Sequence, residues 1–321
     1  MEILLLQDLA EDAHAWLAAR HSVHYRPDLL NDGVQLQAAL ASVHALVAPS
    51  SVMINRSLLD HAPQLMAVGR MHDDSETIDV AACRRRGVRV VLAASTMVRA
   101  RAEYLLLTLL QLFRAGGGAL PPAHGMRGAA GREINDSVIG LFGMTPPAQA
   151  LATMLVPMGA RVVGYDPALH RKAELWQRLG VQPMTLAGML KMADAVSMQM
   201  VHASRYHGLV GARVLSACKP GQLWTSISRA SLFDLDALAE ALRAGRVGAF
   251  TIDSDDPRLI APDSPLRTAA RVTITPDLAA HTHESHLRGS WYLADRLHDA
   301  LTLRAIRAHA VRSGAAAASA G

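Results

Sequence analysis

Residues 137–167 read SVIGLFGMTPPAQALATMLVPMGARVVGYDP, and the order of residue types in this stretch decides the fold. An apolar run over Val138–Phe142 leads into a turn at Gly143. A helix-forming segment follows, then a second apolar run over Arg161–Tyr165, and then an acidic residue, Asp166. Strand, tight turn, helix, strand and terminal acid is the layout of a dinucleotide-binding βαβ unit. The turn departs from the glycine pattern of such units. In G-x-G-x-x-G the glycines would fall on Gly143, Thr145 and Ala148. Alanine is an accepted third residue, but Thr145 adds a side chain where the backbone should approach a pyrophosphate. The positions between are Pro146 and Pro147, and proline has no N–H to direct at a phosphate from a helix N-terminus. The sequence predicts the architecture of a nucleotide site with two of its backbone donors removed.

Working outward, short strands are expected at 2–6, 22–25, 45–48, 65–69 and 88–92, with helices between them, as over 11–20 and 77–86. A second series is expected at 138–142, 161–165, 195–200, 222–226, 249–252 and 272–275, with a helix over 235–244. This alternation predicts an α/β fold of two doubly wound parallel-sheet (Rossmann-like) domains with a cleft between them. The segment RAEYLLLTLLQLFRA at 101–115 is apolar nearly all round, which predicts a helix buried on several sides and ended by Gly116–Gly118. A further helical stretch runs from about His283, and the small-residue tail 311–321 is expected to be disordered.

The 321 residues suit two domains. Half of them are hydrophobic and only 4% aromatic, so Leu, Val, Ala and Met must fill the core. The formal charge is +4, with scattered arginines; the one run, Arg84–Arg86, closes a predicted helix and complements its dipole. Nucleic-acid binding would call for basic and aromatic residues interleaved, so no nucleic-acid partner is expected. The two cysteines, Cys83 and Cys218, lie in no metal-ligand spacing, so the expectation is no metal and a reduced, cytoplasmic protein. The opening MEILLLQDLAED reads as a first strand, and no apolar run reaches the length of a membrane span.

Several further stretches carry a family likeness: GYDP at 164–167, KPG at 219–221, SISRASLFDLDALAEALRAGRVGAFTIDSDDP at 226–257 and TPDLAAHTHES at 275–285. Together they make the chain resemble the D-isomer-specific 2-hydroxyacid dehydrogenases over nearly its full length. The resemblance implies a substrate (flavodoxin-like) lobe from 1–100 and 284–310, a dinucleotide-binding domain at 101–283, and a homodimer. It also implies hydride transfer between NAD(H) and C2 of a 2-hydroxy or 2-oxo acid. It puts Arg229 where the family's arginine holds the substrate carboxylate, a task suited to a planar guanidinium. Asp253 falls on the family's aspartate near the nicotinamide amide, and a plain strand-end turn residue is the alternative. Asp166 falls on the acid that hydrogen-bonds the adenosine ribose, which favours NAD; His170, Arg171 and Lys172 follow it and keep NADP open.

Other positions depart from the family. The catalytic histidine position holds Asp277, and its glutamate partner's position holds Arg258. An ordinary aspartic acid titrates at about 3.9 and has no proton to give at neutral pH. An Asp277–Arg258 ion pair is the expected replacement for the dyad, with His281 as a candidate substitute acid or a capping residue. The family's carboxylate-binding glycine loop becomes Arg70, Met71, His72, Asp73 and Asp74. Two readings follow: an NAD(P)-dependent oxidoreductase on the CH–OH group of a small 2-hydroxy acid, or a non-catalytic paralogue acting as dimeric scaffold or ligand sensor.

Overall fold

The structure is a computed structural model that describes residues 1–72, 77–115, 130–201 and 203–318. The chain divides into two units, Met1–Met97 with Thr282–Gly321, and Val98–His281.

The first unit is a five-stranded sheet of β1 (Glu2–Leu5), β2 (Ser22–Tyr25), β3 (Ala45–Val47), β4 (Ala67–Arg70) and β5 (Arg89–Leu92). Their order is β2-β1-β3-β4-β5, with every neighbouring pair parallel. That is the flavodoxin-like winding. Every residue of β3 is buried, as a central parallel strand covered on both faces requires. Leu4, Leu46, Val68, Leu40, Ile54 and Leu59 fill one face. Gly69 of β4 sits under the helix His283–Ala318, where a Cβ would meet Leu293 at 3.3 Å and Leu297 at 3.5 Å. That helix continues through Ala318 into the segment read from sequence as a disordered tail, a correction that follows from alanine's high helix propensity; residues 319–321 lie outside the described residues.

The second unit is a seven-stranded sheet of β6 (Val138–Phe142), β7 (Arg161–Tyr165), β8 (Gln182–Pro183), β9 (Ala195–Met198), β10 (Gln222–Ser226), β11 (Val247–Asp253) and β12 (Val272–Thr275). The order is β12-β11-β10-β9-β6-β7-β8, all parallel. Counted from β6, this is the Rossmann winding with one strand added, and its direction of winding reverses between β6 and β9. Helices Val98–Ala115 and Pro146–Leu155 cover one face through Leu105, Leu109, Leu151 and Leu155. Helices Leu186–Met192 and Leu235–Arg243 cover the other, against Trp224 and Phe250. The two-residue β8 has no sequence signal, since Pro183 argues against a strand; it is tolerated at a sheet edge.

Asp194 ties this unit together. Its carboxylate accepts the Val138 N–H at 2.9 Å, the Lys219 ammonium at 2.6 Å and the Arg132 guanidinium at 3.2 Å. Burial pushes this carboxyl up, but Lys219, the Val138 amide and Arg132 outweigh it and hold the group below the usual carboxylate range.

Candidate active site

Parallel strands bring their carboxyl ends to one edge, and ligands of open α/β sheets bind at that edge beside the winding reversal. In the second unit the chain places a chemically marked residue after almost every strand. Gly143 follows β6, Asp166 follows β7, Arg229 lies just beyond β10, Asp253 ends β11 and Asp277 lies just beyond β12.

The turn after β6 is built on Gly143, whose φ is +93° and whose missing Cβ would lie 2.6 Å from the Gln199 carbonyl oxygen. Only glycine fits both the angle and the space. The Gly143 N–H donates to the Tyr165 carbonyl at 2.8 Å. The Met144 N–H donates to Asp166 Oδ2 at 2.8 Å, and Asp166 Oδ1 accepts the Ala168 N–H at 2.7 Å. The predicted acid is therefore locked beside the predicted turn. Thr145 is the N-cap of helix Pro146–Leu155, yet its side chain accepts no capping bond. An N-cap hydroxyl serves the second or third helical N–H, and the second helical residue is Pro147. The Thr145 Oγ1 is buried and makes no hydrogen bond. Farther along the loop, Arg171 and Lys172 line a cavity of about 290 Å³ with Glu174, Trp176 and Pro183.

Asp253 is buried, 5% exposed. Its Oδ1 accepts the Leu278 N–H at 2.7 Å and the Thr275 hydroxyl at 2.5 Å, and its Oδ2 accepts the Ala279 N–H at 2.7 Å. The Thr275 hydroxyl also meets the Tyr104 hydroxyl at 2.6 Å. Burial pushes the Tyr104 phenol up to about 12. Asp253 thus fixes the segment that carries Asp277, an exposed residue with φ +52°. Sequence reading missed Tyr104 and Thr275, which lie 171 residues apart and form no motif.

Arg258 corrects an expectation. Its guanidinium does not pair with Asp277 but forks onto Asp256, with Nε 3.0 Å from Oδ1 and Nη2 2.5 Å from Oδ2. The Arg258 N–H also donates to Asp256 Oδ1 at 3.0 Å. A carboxylate two residues away, already capping the turn Pro257–Leu259, orders less chain than a partner on another strand. Arg258 holds the Asp256 carboxyl below its usual range, and Arg229 adds a weaker attraction to the same group. Arg229 is exposed, just ahead of the short turn Ala230–Leu232.

Of the loop residues, Arg70 ends β4 inside the first unit and is 1% exposed, and its guanidinium donates to the Val52 carbonyl. His72 follows it and is half-buried; Asp73 and Asp74 lie outside the described residues. His281 is exposed at the end of the second unit, its N–H bonded to the Leu278 carbonyl at 3.0 Å. Among the described residues no three His, Cys, Asp or Glu side chains are grouped to hold a metal ion, and no helix is long and apolar enough to cross a membrane.

Comparison with known proteins agrees with this architecture. The chain is 30% identical to the (S)-sulfolactate dehydrogenase of Chromohalobacter salexigens, over 95% of this chain and 99% of that protein. It is 31% identical to the D-3-phosphoglycerate dehydrogenase of Mycobacterium leprae, over 93% of this chain; the match spans 56% of that longer protein. In fold it is similar to the D-lactate dehydrogenase of Aquifex aeolicus, solved with NAD and lactic acid, with a TM-score of 0.74 and 17% identity over 94% of this chain and 96% of that one. Residues 110–279 match the NAD binding domain of the D-isomer specific 2-hydroxyacid dehydrogenases. With that match and a full-length relative at 30% identity, the chain belongs to the D-isomer specific 2-hydroxyacid dehydrogenase family.

Proposed function

We propose that this chain is an NAD(P)-type oxidoreductase of the 2-hydroxy acid/2-oxo acid class whose proton-transfer step has lost its imidazole. The observation that carries the reading is Asp166, held at the end of β7 by the Met144 and Ala168 amides beside the β6 turn. A carboxylate accepts about four hydrogen bonds, so this one keeps room for the hydroxyls of an adenosine ribose. Arg229, exposed on the same edge, is the group to hold a substrate carboxylate. Asp253 keeps about one acceptor site beyond its three donors, enough for a carboxamide N–H. The fit to the cofactor is divided. The nucleoside end suits these residues, whereas the diphosphate meets a turn with prolines at two donor positions.

Asp277 gives the site a carboxylate where the family's reaction needs a proton donor, so reduction of a 2-oxo acid at neutral pH is slow. The test is NADH and NADPH titration by fluorescence or thermal shift, followed by a panel of 2-oxo acids. Consumption of reduced cofactor that depends on the oxo acid supports the reading; none at saturating cofactor sinks it. The second reading, a non-catalytic scaffold or ligand sensor, is favoured by Arg258, whose guanidinium is engaged by Asp256 and is not a carboxylate that could serve a proton-transfer partner. We propose a homodimer in either case. Leu107, 52% exposed on a helix otherwise rich in buried leucines, supports it, and light scattering tests it.

A further inference from the structure

We infer that the turn between β6 and helix Pro146–Leu155 holds its nucleotide by the nucleoside end: the adenosine moiety carries the binding, and 5′-phosphates add little to it. The inference rests on the proposed nucleotide site and concerns how that site holds its ligand.

A complete account of the turn's N–H groups carries it. Phosphates at such turns are gripped by backbone N–H groups at the start of the helix. Here the Gly143 amide is taken by the Tyr165 carbonyl and the Met144 amide by the Asp166 carboxylate, each at 2.8 Å. Pro146 and Pro147 have none. The Gln149 amide opens the helix by donating to the Thr145 carbonyl at 3.0 Å. That leaves the amides of Ala148 and of Thr145, and Thr145 carries a side chain where a diphosphate would have to approach.

The side chains of the turn and of its helix do not replace what is missing. The Thr145 hydroxyl is buried. The Gln149 side chain turns back to donate to the Met144 carbonyl at 2.9 Å. The helix sequence PPAQALATML contains no Lys or Arg. Opposite these losses stands Asp166, partly exposed, with its two amide bonds made and acceptor capacity left for a ribose diol. A carboxylate so near the turn also disfavours a dianionic phosphate. The side of the site that recognises ribose is intact, and the side that recognises phosphate is not.

The experiment is calorimetric titration of the full chain with adenosine, AMP and ADP, in the wild type and in the P146A/P147A double variant. Alanine is a strong helix former and fits the first helical turn, and a thermal melt confirms that the variant folds. In the wild type, ADP should bind within about threefold of adenosine. The variant regains two amides, each a hydrogen bond to a charged group, so its ADP affinity should rise about a hundredfold with adenosine unchanged. Wild-type ADP binding more than about thirtyfold tighter than adenosine overturns the inference, as does a variant with no gain or a wild type that does not bind adenosine. Oxo-acid-dependent NADH consumption is a separate readout. Its absence sinks the oxidoreductase reading and leaves the nucleoside preference standing, while tight ADP binding does the reverse.

Discussion

Asp253 accepts the Ala279 N–H at 2.7 Å, which ties the last residue of β11 to the segment just beyond Asp277. With the Leu278 amide and the Thr275 hydroxyl on its other oxygen, this one carboxylate anchors both sides of Asp277. Backbone bonds to a charged group contribute about 1.5–3 kcal/mol each, and a lost acceptor leaves the buried Ala279 amide unsatisfied. Asp253→Ala should therefore destabilise the protein by about 3 kcal/mol in urea unfolding, with Asp253→Asn intermediate. A loss below about 0.5 kcal/mol would show that the anchor is unimportant.

Asp194 predicts an acid sensitivity. Its folded pKa lies below the reference value of 3.8. The stability it contributes is present above that value and is lost as pH falls through the folded value. Asp194→Asn, which weakens the bonds from the Val138 amide, Lys219 and Arg132, should cost about 1.5–3 kcal/mol at pH 7. The difference from wild type should shrink steadily below about pH 4 in denaturation curves taken across pH.

His21 predicts a second one in the first unit. Its Nε2 lies 3.0 Å from His298 Nδ1, and both imidazoles pack close to Trp16 or each other. Burial lowers the His21 pKa below 6.5, and His298, the N-terminus and Arg20 lower it further. Its stability contribution is present above pH 6.5 and is lost as pH falls through the folded value. Imidazole NMR should show His21 titrating below 6.5, and His21→Gln should flatten that part of the pH–stability curve. A His21 titration at or above 6.5 would contradict this.

Gly143→Ala combines a positive φ with a contact of 2.6 Å to the Gln199 carbonyl oxygen. Backbone must move to admit the methyl, so the variant should lose at least about 2 kcal/mol. It should also shift the Met144 and Asp166 resonances together, since the Met144 amide and that carboxylate are bonded.

The parts of this structure legible in the sequence are those set by local pattern. The β6 turn, Asp166 and the strand ends were readable because strand, glycine and acid fall in a fixed order within thirty-one residues, 137–167. Arg258 was misread because a family position says nothing about a nearer competitor, and Asp256 captures the guanidinium locally. Asp253 was read as a cofactor contact or turn residue, but its amide bonds to 278 and 279 depend on where β12 lies beside β11. The contact of Tyr104 with Thr275 joins a helix to a strand end far along the chain and leaves no trace in either segment.

The central claim is that Asp277 and Arg258 cannot perform the family's proton transfer. The direct measurement is the kcat for NADH-dependent reduction of a 2-oxo acid at saturating cofactor, compared between wild type and D277H/R258E. General acid catalysis contributes about 10²–10⁴-fold, so the variant should gain at least about a hundredfold over a slow wild type. A wild type that reduces the oxo acid at an ordinary dehydrogenase rate, with no gain in the variant, would contradict the account.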